Sequence, residues 1–279
     1  MGIRVNTNVG SLNAQRHLYN TTMKFQKSME RLSSGMRINR SGDDAAGLAI
    51  SESLKSDIRA LQQASRNAAD GISLVQVAEG SLDEVNNILL RLRELTEQAA
   101  TETLGEDERD YLDTEFQQLL TEIDRISTTA EFNGIMLLDG SMGTLNVQVG
   151  VGTDPATSTV PIDLNQVMDT TQLSLAGHSL AGPDGSNALL AMADVIDATA
   201  IVSSTRAGFG AAQNRLETSI RNIGMTAENL SAANSRIRDV DVALETSNMT
   251  SLQILQQAGV SILTQSNMSS QLALNLMGN

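Results

Sequence analysis

One apolar stripe runs through the first half of the chain for more than forty residues without losing phase. Leu54, Ile58, Leu61, Ser65, Ala68, Ile72, Val75, Ala78, Leu82, Val85, Leu89, Leu92 and Leu95 follow one another in steps of four and three that alternate almost throughout. That is the period of a helix burying a single seam. Residues 44–100 therefore read as one helix of about 85 Å at 1.5 Å per residue. Gly71 and Gly80 lie within it and each costs roughly 1 kcal/mol against Ala, yet the phase continues across both. A seam this long needs cover of similar length. The second half supplies it with Leu216, Ile220, Ile223, Ala227, Leu230, Asn234, Ile237 and Asp241, again in fours and threes. Two such helices bury their stripes by packing antiparallel, which brings the two ends of the chain together.

Shorter stripes occupy those ends. Leu18, Phe25, Met29, Leu32 and Met36 stand at heptad spacing with Thr22 in the missing position, and the final segment offers Leu252, Leu255, Gly259, Ile262 and Leu263, then Leu272 and Leu276. Between the N-terminal stripe and the long one lies the loop SSGMRINRSG, after which Asp43 or Asp44 can cap a new helix. Gly105 closes the long helix, and Glu106, Asp107 and Glu108 open the next in its first turn, where the helix dipole favours acids. That helix carries Leu112, Phe116, Leu119, Ile123 and Ile126. The acidic run lacks the spaced ligands and turn glycine of a calcium loop.

Residues 131–164 change character: Asn133-Gly134 and Asp139-Gly140 are turn dipeptides, and Leu145, Val147 and Val149 alternate with Asn146 and Gln148. This predicts one or two β-hairpins. Residues 176–185 read as a loop, and Leu189, Met192 and Ile196 lead into the second long helix. The fold class is mainly α: an elongated antiparallel helical bundle or coiled coil with small β-hairpins and paired terminal helices. Residues 1–43 and 244–279 make a discontinuous terminal domain, and 44–243 a helical rod domain.

Zero Cys excludes disulfides, thiolate metal sites and thiol nucleophiles. His17 and His178 are the only histidines, and no nucleotide, zinc-protease or serine-hydrolase motif occurs. The sequence thus offers no catalytic, cofactor or metal constellation. A net charge of −14 disfavours nucleic acid and anionic membranes, and no run of 18 apolar residues predicts a membrane span. The start shows no apolar segment and cleavage site of a conventional secretory signal. Asn-x-Ser/Thr triplets at Asn20, Asn229, Asn248 and Asn267 matter only in a eukaryotic secretory route.

Charge is unevenly spread. Residues 1–40 carry seven cations, from Arg4 to Arg40, against Glu30 alone, whereas the 34 residues after Glu245 contain no ionisable side chain although they are rich in Gln, Ser, Asn and Thr. Solvated surfaces normally carry both signs, so this neutral polar segment reads either as a surface facing neither bulk solvent nor a dry core, or as a poorly ordered tail.

LSSGMRINRSGDDAAGLAISESL (32–54) and SNMTSLQILQQAGVSILTQSN (247–267) resemble the N- and C-terminal signatures of bacterial flagellins. VNTN (5–8), LNAQR (12–16), LREL (92–95), EIDRI (122–126) and EFNGIMLLDG (131–140) fit as well. The resemblance covers nearly the whole chain. It implies a secreted structural subunit that polymerises with itself into the extracellular flagellar filament for motility, served by an export chaperone and by cap and junction proteins. The terminal helices would form an inner coiled-coil layer around a channel, with Leu18, Phe25, Met29, Leu32, Leu252, Leu255, Ile262 and Leu263 in terminal packing and polymerisation. Gln253, Gln256 and Gln257 would face the lumen, where a neutral wall lets travelling chains pass. The variable outer domains usual in the family would be replaced by the 176–185 loop. The resemblance also implies recognition by Toll-like receptor 5 through Arg91, Leu95 and Glu115. Rival readings are a hook-filament junction protein, whose class usually lacks the SGDDAAGLAI run, and a secreted helical adhesin or effector.

Overall fold

The computed structural model describes the backbone of residues 7–277 and the side chains of residues 7–268. Arg4 and the start of VNTN lie outside that description, as do the side chains of Leu272 and Leu276. Its helices are α1 (Val9–Ser34), α2 (Ala45–Ala99), α3 (Glu106–Thr129), α4 (Pro155–Ser158), α5 (Ser186–Arg238) and α6 (Val242–Met277). The strands are β1 (Glu131–Phe132), β2 (Ile135–Met136), β3 (Thr144–Gln148) and β4 (Thr159–Asp163). The chain divides into two compact units, Met1–Ser56 with Asn229–Asn279, and Asp57–Glu228. The division falls inside α2 and α5 rather than in the loops beside them, because the first turns of α2 and the last turns of α5 bind each other: Ser51 donates to Asn234 at 2.7 Å and Arg238 pairs with Glu52 at 2.6 Å.

In the central unit α2 runs unbroken through both glycines. Gly71 is where the β-hairpin and α5 press closest, since a Cβ there would meet Val147 at 3.1 Å and Leu216 at 3.3 Å. The predicted stripe is the core: Ala68, Val75, Ala78, Leu82, Val85, Leu89, Leu92 and Leu95 are fully buried. α3 returns antiparallel to α2, Arg91 reaching Glu115 while Ala99 accepts from Arg109, and buries Phe116, Leu120, Ile123 and Ile126. α5 is antiparallel too: Gly185 abuts Ala100, and Arg206 pairs with Asp83 at 3.0 Å.

The start of α5 departs from the expected seam. Leu189 and Ile196 are exposed, and the buried face is Ala188, Ala191, Val195, Ala198 and Val202. A Cβ on Gly185 would lie 2.5 Å from the Ala100 carbonyl; helices this close admit small side chains at the contact and turn larger ones outward. Of the one or two hairpins expected, two form, β1 with β2 and β3 with β4, the second pairing Thr144 with Asp163 through Gln148 with Thr159. Val147 is buried while Asn146 and Gln148 are exposed, the alternation of a half-covered strand. The connection through 165–185 adds Met168, Leu173, Leu175 and Leu180 to the core, and Asp124 holds Thr170 through its backbone N–H and hydroxyl at 2.8 and 3.0 Å.

Candidate assembly surface on the terminal helices

In the other unit α1 and α6 lie side by side, antiparallel. Asn8 donates to the Ser266 carbonyl at 3.0 Å, Ser11 to Asn267 at 2.9 Å, Gln256 to Thr22 at 3.3 Å, and the Ser28 hydroxyl to Glu245. Asn8 also caps α1, accepting from the Ser11 N–H at 3.1 Å, and Gly35 ends it at φ 70°, a left-handed position that suits glycine. Asp44 caps α2 by accepting from the Gly47 N–H at 2.9 Å. Asp43 does other work, pairing with Lys27 at 2.5 Å and accepting from the Asn39 and Arg40 N–H groups.

The loop after α1 is thus tied to α1, and also to the α5–α6 junction. The Arg37 N–H donates to the Arg238 carbonyl at 2.6 Å, and that of Val240 to Gly35 at 3.0 Å. The Lys27 ammonium first, then the two backbone donors, pull the Asp43 carboxyl down to about 2. An unfolded Asp titrates near 3.9, so its contribution is complete above about pH 4 and lost as pH falls through 4 to 2. An NMR titration of Asp43 is expected to show a midpoint near 2, returning toward the ordinary carboxylate range in Lys27→Met; an unchanged midpoint in the variant would contradict the pairing.

The seam between α1 and α6 differs from the apolar stripe read in the sequence. Leu18, Phe25 and Leu32 of α1 and Leu252 and Leu263 of α6 are half-buried in or beside it. Met29 is 50% exposed and its neighbour Ser28 takes the buried place at 5%. On α6, Leu255 and Ile262 point away at 55% and 60% exposure, while Glu245, Leu252, Gln256, Gly259, Leu263 and Ser266 keep the four-three alternation against α1. The three glutamines separate accordingly. Gln253 and Gln257 are exposed, but Gln256 is half-buried on Thr22 and so leaves the outward face expected of it. Glu245 was the least legible member: a carboxylate 8% exposed, it is acceptable there because Ser28 donates to it and Arg31 stands 3.8 Å away.

Among the described residues, no apolar side chain of α1 or α6 is buried, and about half of the chain's exposed large apolar side chains sit on these two helices. Val9, Leu12, Tyr19 and Met23 form one outward strip on α1; Leu244, Leu255 and Ile262 form another on α6. No group of three or more metal-ligating side chains exists among the described residues.

Two family models match this chain. Residues 5–143 match the bacterial flagellin N-terminal helical region and residues 192–277 its C-terminal helical region. This chain belongs to the bacterial flagellin family. The flagellin of Halalkalibacterium halodurans is 46% identical over 274 residues, covering 98% of this chain and 99% of that protein. The flagellin of Bacillus subtilis is 41% identical, covering 99% of this chain and all of that one. The solved structure of a putative flagellar hook-associated protein from Vibrio parahaemolyticus shares the fold, with TM-score 0.60 and 16% identity over 71% of this chain and all of its own. As a flagellin, the chain is a structural subunit of the bacterial flagellar filament, extracellular and non-catalytic.

The residues aligned with receptor recognition divide. Arg91 and Glu115 form an exposed ion pair at 2.8 Å, and Arg91 also reaches Glu94 at 2.9 Å. Leu95 is fully buried. It belongs to the α2 core seam, so a partner docking on the folded chain does not reach it.

Proposed function

We propose that this flagellin builds its filament by burying the outward faces of α1 and α6 between copies. The observation that supports the reading is the apolar surface the helix pair leaves uncovered. Hydrophobic burial drives association in proportion to area removed from water, and a two-helix pair without a dry core is marginal alone. Order in the pair is then completed by the lattice, and folding is coupled to polymerisation. The uncharged face of α6 carrying Thr246, Thr250, Gln253 and Gln257, all exposed, lines the channel through which new chains travel. Residues 176–185 stand in place of outer domains. Export assisted by a chaperone and growth beneath a cap protein complete the role.

Seeding with filament fragments tests this. The full chain is expected to elongate seeds and pellet, and Leu255→Asp with Ile262→Asp to remain in the supernatant while keeping the thermal transition of the central unit. Wild-type chain that never pellets would favour an adhesin or effector, and one that adds a single layer and stops a junction protein.

Receptor recognition, reduced to Arg91 and Glu115, is a second role that the exposed ion pair supports. Exposed pairs contribute about 0–1 kcal/mol, so Arg91→Ala with Glu115→Ala leaves stability nearly unchanged. Monomers carrying both substitutions are expected to lose Toll-like receptor 5 signalling; full signalling would remove the role.

A further inference from the structure

The central unit carries nine Lys and Arg against 26 Asp and Glu, a formal −17. Copies of such a body repel one another unless they meet through neutral or cationic surface. α5 offers such a surface. It contains a long apolar stretch that is mostly unburied, and Asp194 and Asp197 are the only charges between Ser186 and Arg206. Leu190, Ile201, Ser204, Gly208 and Arg215 share one exposed or half-exposed flank of the helix. Beside them, under Pro161 and Asp163 of β4, opens a cavity of about 490 Å³ floored by Phe209 and Ala212.

Two features of this groove have no use within the chain. A Cβ on Gly208 would meet nothing within 4 Å, so no intramolecular contact requires glycine in the middle of a helix, where it is unfavourable. Arg215 borders this cavity and a second one on the other side of β4, and it has no hydrogen-bond or ion-pair partner among the described residues.

We propose that this groove on α5 receives the central unit of a second copy, with Gly208 leaving room for close approach and Arg215 taking one of the second copy's carboxylates. The apolar flank supplies contact area, and the free cation meets a body whose net charge is opposite to its own. Asp163 is the single carboxylate lining the groove, and the others of the central unit lie outside it, so one copy's groove meets a different surface of the next. Such head-to-tail contacts generate open helical polymers.

The inference rests on the filament reading, and one experiment separates the two. Critical concentrations for seeded growth are measured for wild type, Gly208→Ala, Gly208→Leu and Arg215→Glu, with monomer helicity recorded for each. Gly208→Ala is expected to match wild type, and Gly208→Leu and Arg215→Glu to raise the critical concentration at least tenfold with helicity unchanged. Wild type that does not grow defeats the filament reading itself. Wild type that grows alongside variants of equal critical concentration overturns the groove. Should Gly208→Leu lose helicity, the exposed substitution Arg215→Glu decides alone.

Discussion

A chain ending at Glu245 stays in the supernatant at every concentration and seed density tested, while its central unit melts within a few degrees of the full-length protein. The apolar core extending from Ala68 to Leu216 lies wholly inside Asp57–Glu228, so removing α6 takes nothing from it. What the truncation removes is assembly surface. Burying a Leu or Ile side chain stabilises by about 1.5–3 kcal/mol, and each 1.4 kcal/mol is a factor of ten in affinity. Losing Leu255 and Ile262 alone thus costs on the order of 10² or more in affinity, and α1 also loses the residues that hold Asn8, Ser11 and Thr22. Sedimentation with electron microscopy checks the result. Filaments from the truncated chain would sink the assignment of polymerisation to the terminal pair.

Replacing Arg109 by Met lowers the melting temperature of the central unit by about 6–16 °C. The guanidinium is 2% exposed. It donates to the Ala99 and Thr101 carbonyls at 3.0 Å each, and to Pro183 at 3.2 Å and Gly182 at 3.4 Å. One side chain therefore satisfies the open C-terminus of α2 and pins the loop that leads into α5. Met fills part of the volume but leaves those carbonyls short of donors, at about 1–3 kcal/mol for an unsatisfied buried group. Allowing for relaxation and water entry, a total of about 3–4 kcal/mol corresponds to roughly 2–4 °C per kcal/mol for a unit of this size. Lys in its place keeps the charge without the planar fork and recovers less than half. Asp184 is a local reporter: Ser186 chiefly, with a smaller contribution from the Arg109 charge, holds its carboxyl below the ordinary range. Circular dichroism melts check the prediction, and a fall under 3 °C would refute the clamp.

The receptor triad and the lumen glutamines illustrate how far a linear reading reaches. Leu95 occupies a receptor position by resemblance and a core position by periodicity, and burial decides for the core. Gln256 is as polar as Gln253 and Gln257, yet the heptad phase shared with Leu252 and Leu263 turns it onto Thr22. The terminal seam was harder still. Met29 offers more apolar area than Ser28, but Glu245 on the opposing helix needs a donor and Ser28 supplies one. Arg109 gave no signal, since it sits within an acidic run that a helix dipole already explains.

Sequence alone determined the helices, their antiparallel return and the location of the hairpins, because a four-three stripe forty residues long tolerates one secondary structure and requires one kind of cover. It determined family membership as well, through the motifs at both ends. Tertiary structure decided which of two adjacent heptad phases is buried, which buried polar groups find partners, and which apolar faces stay bare. Those outcomes depend on the approach distance and opposing side chains of a neighbouring helix, which no local pattern contains.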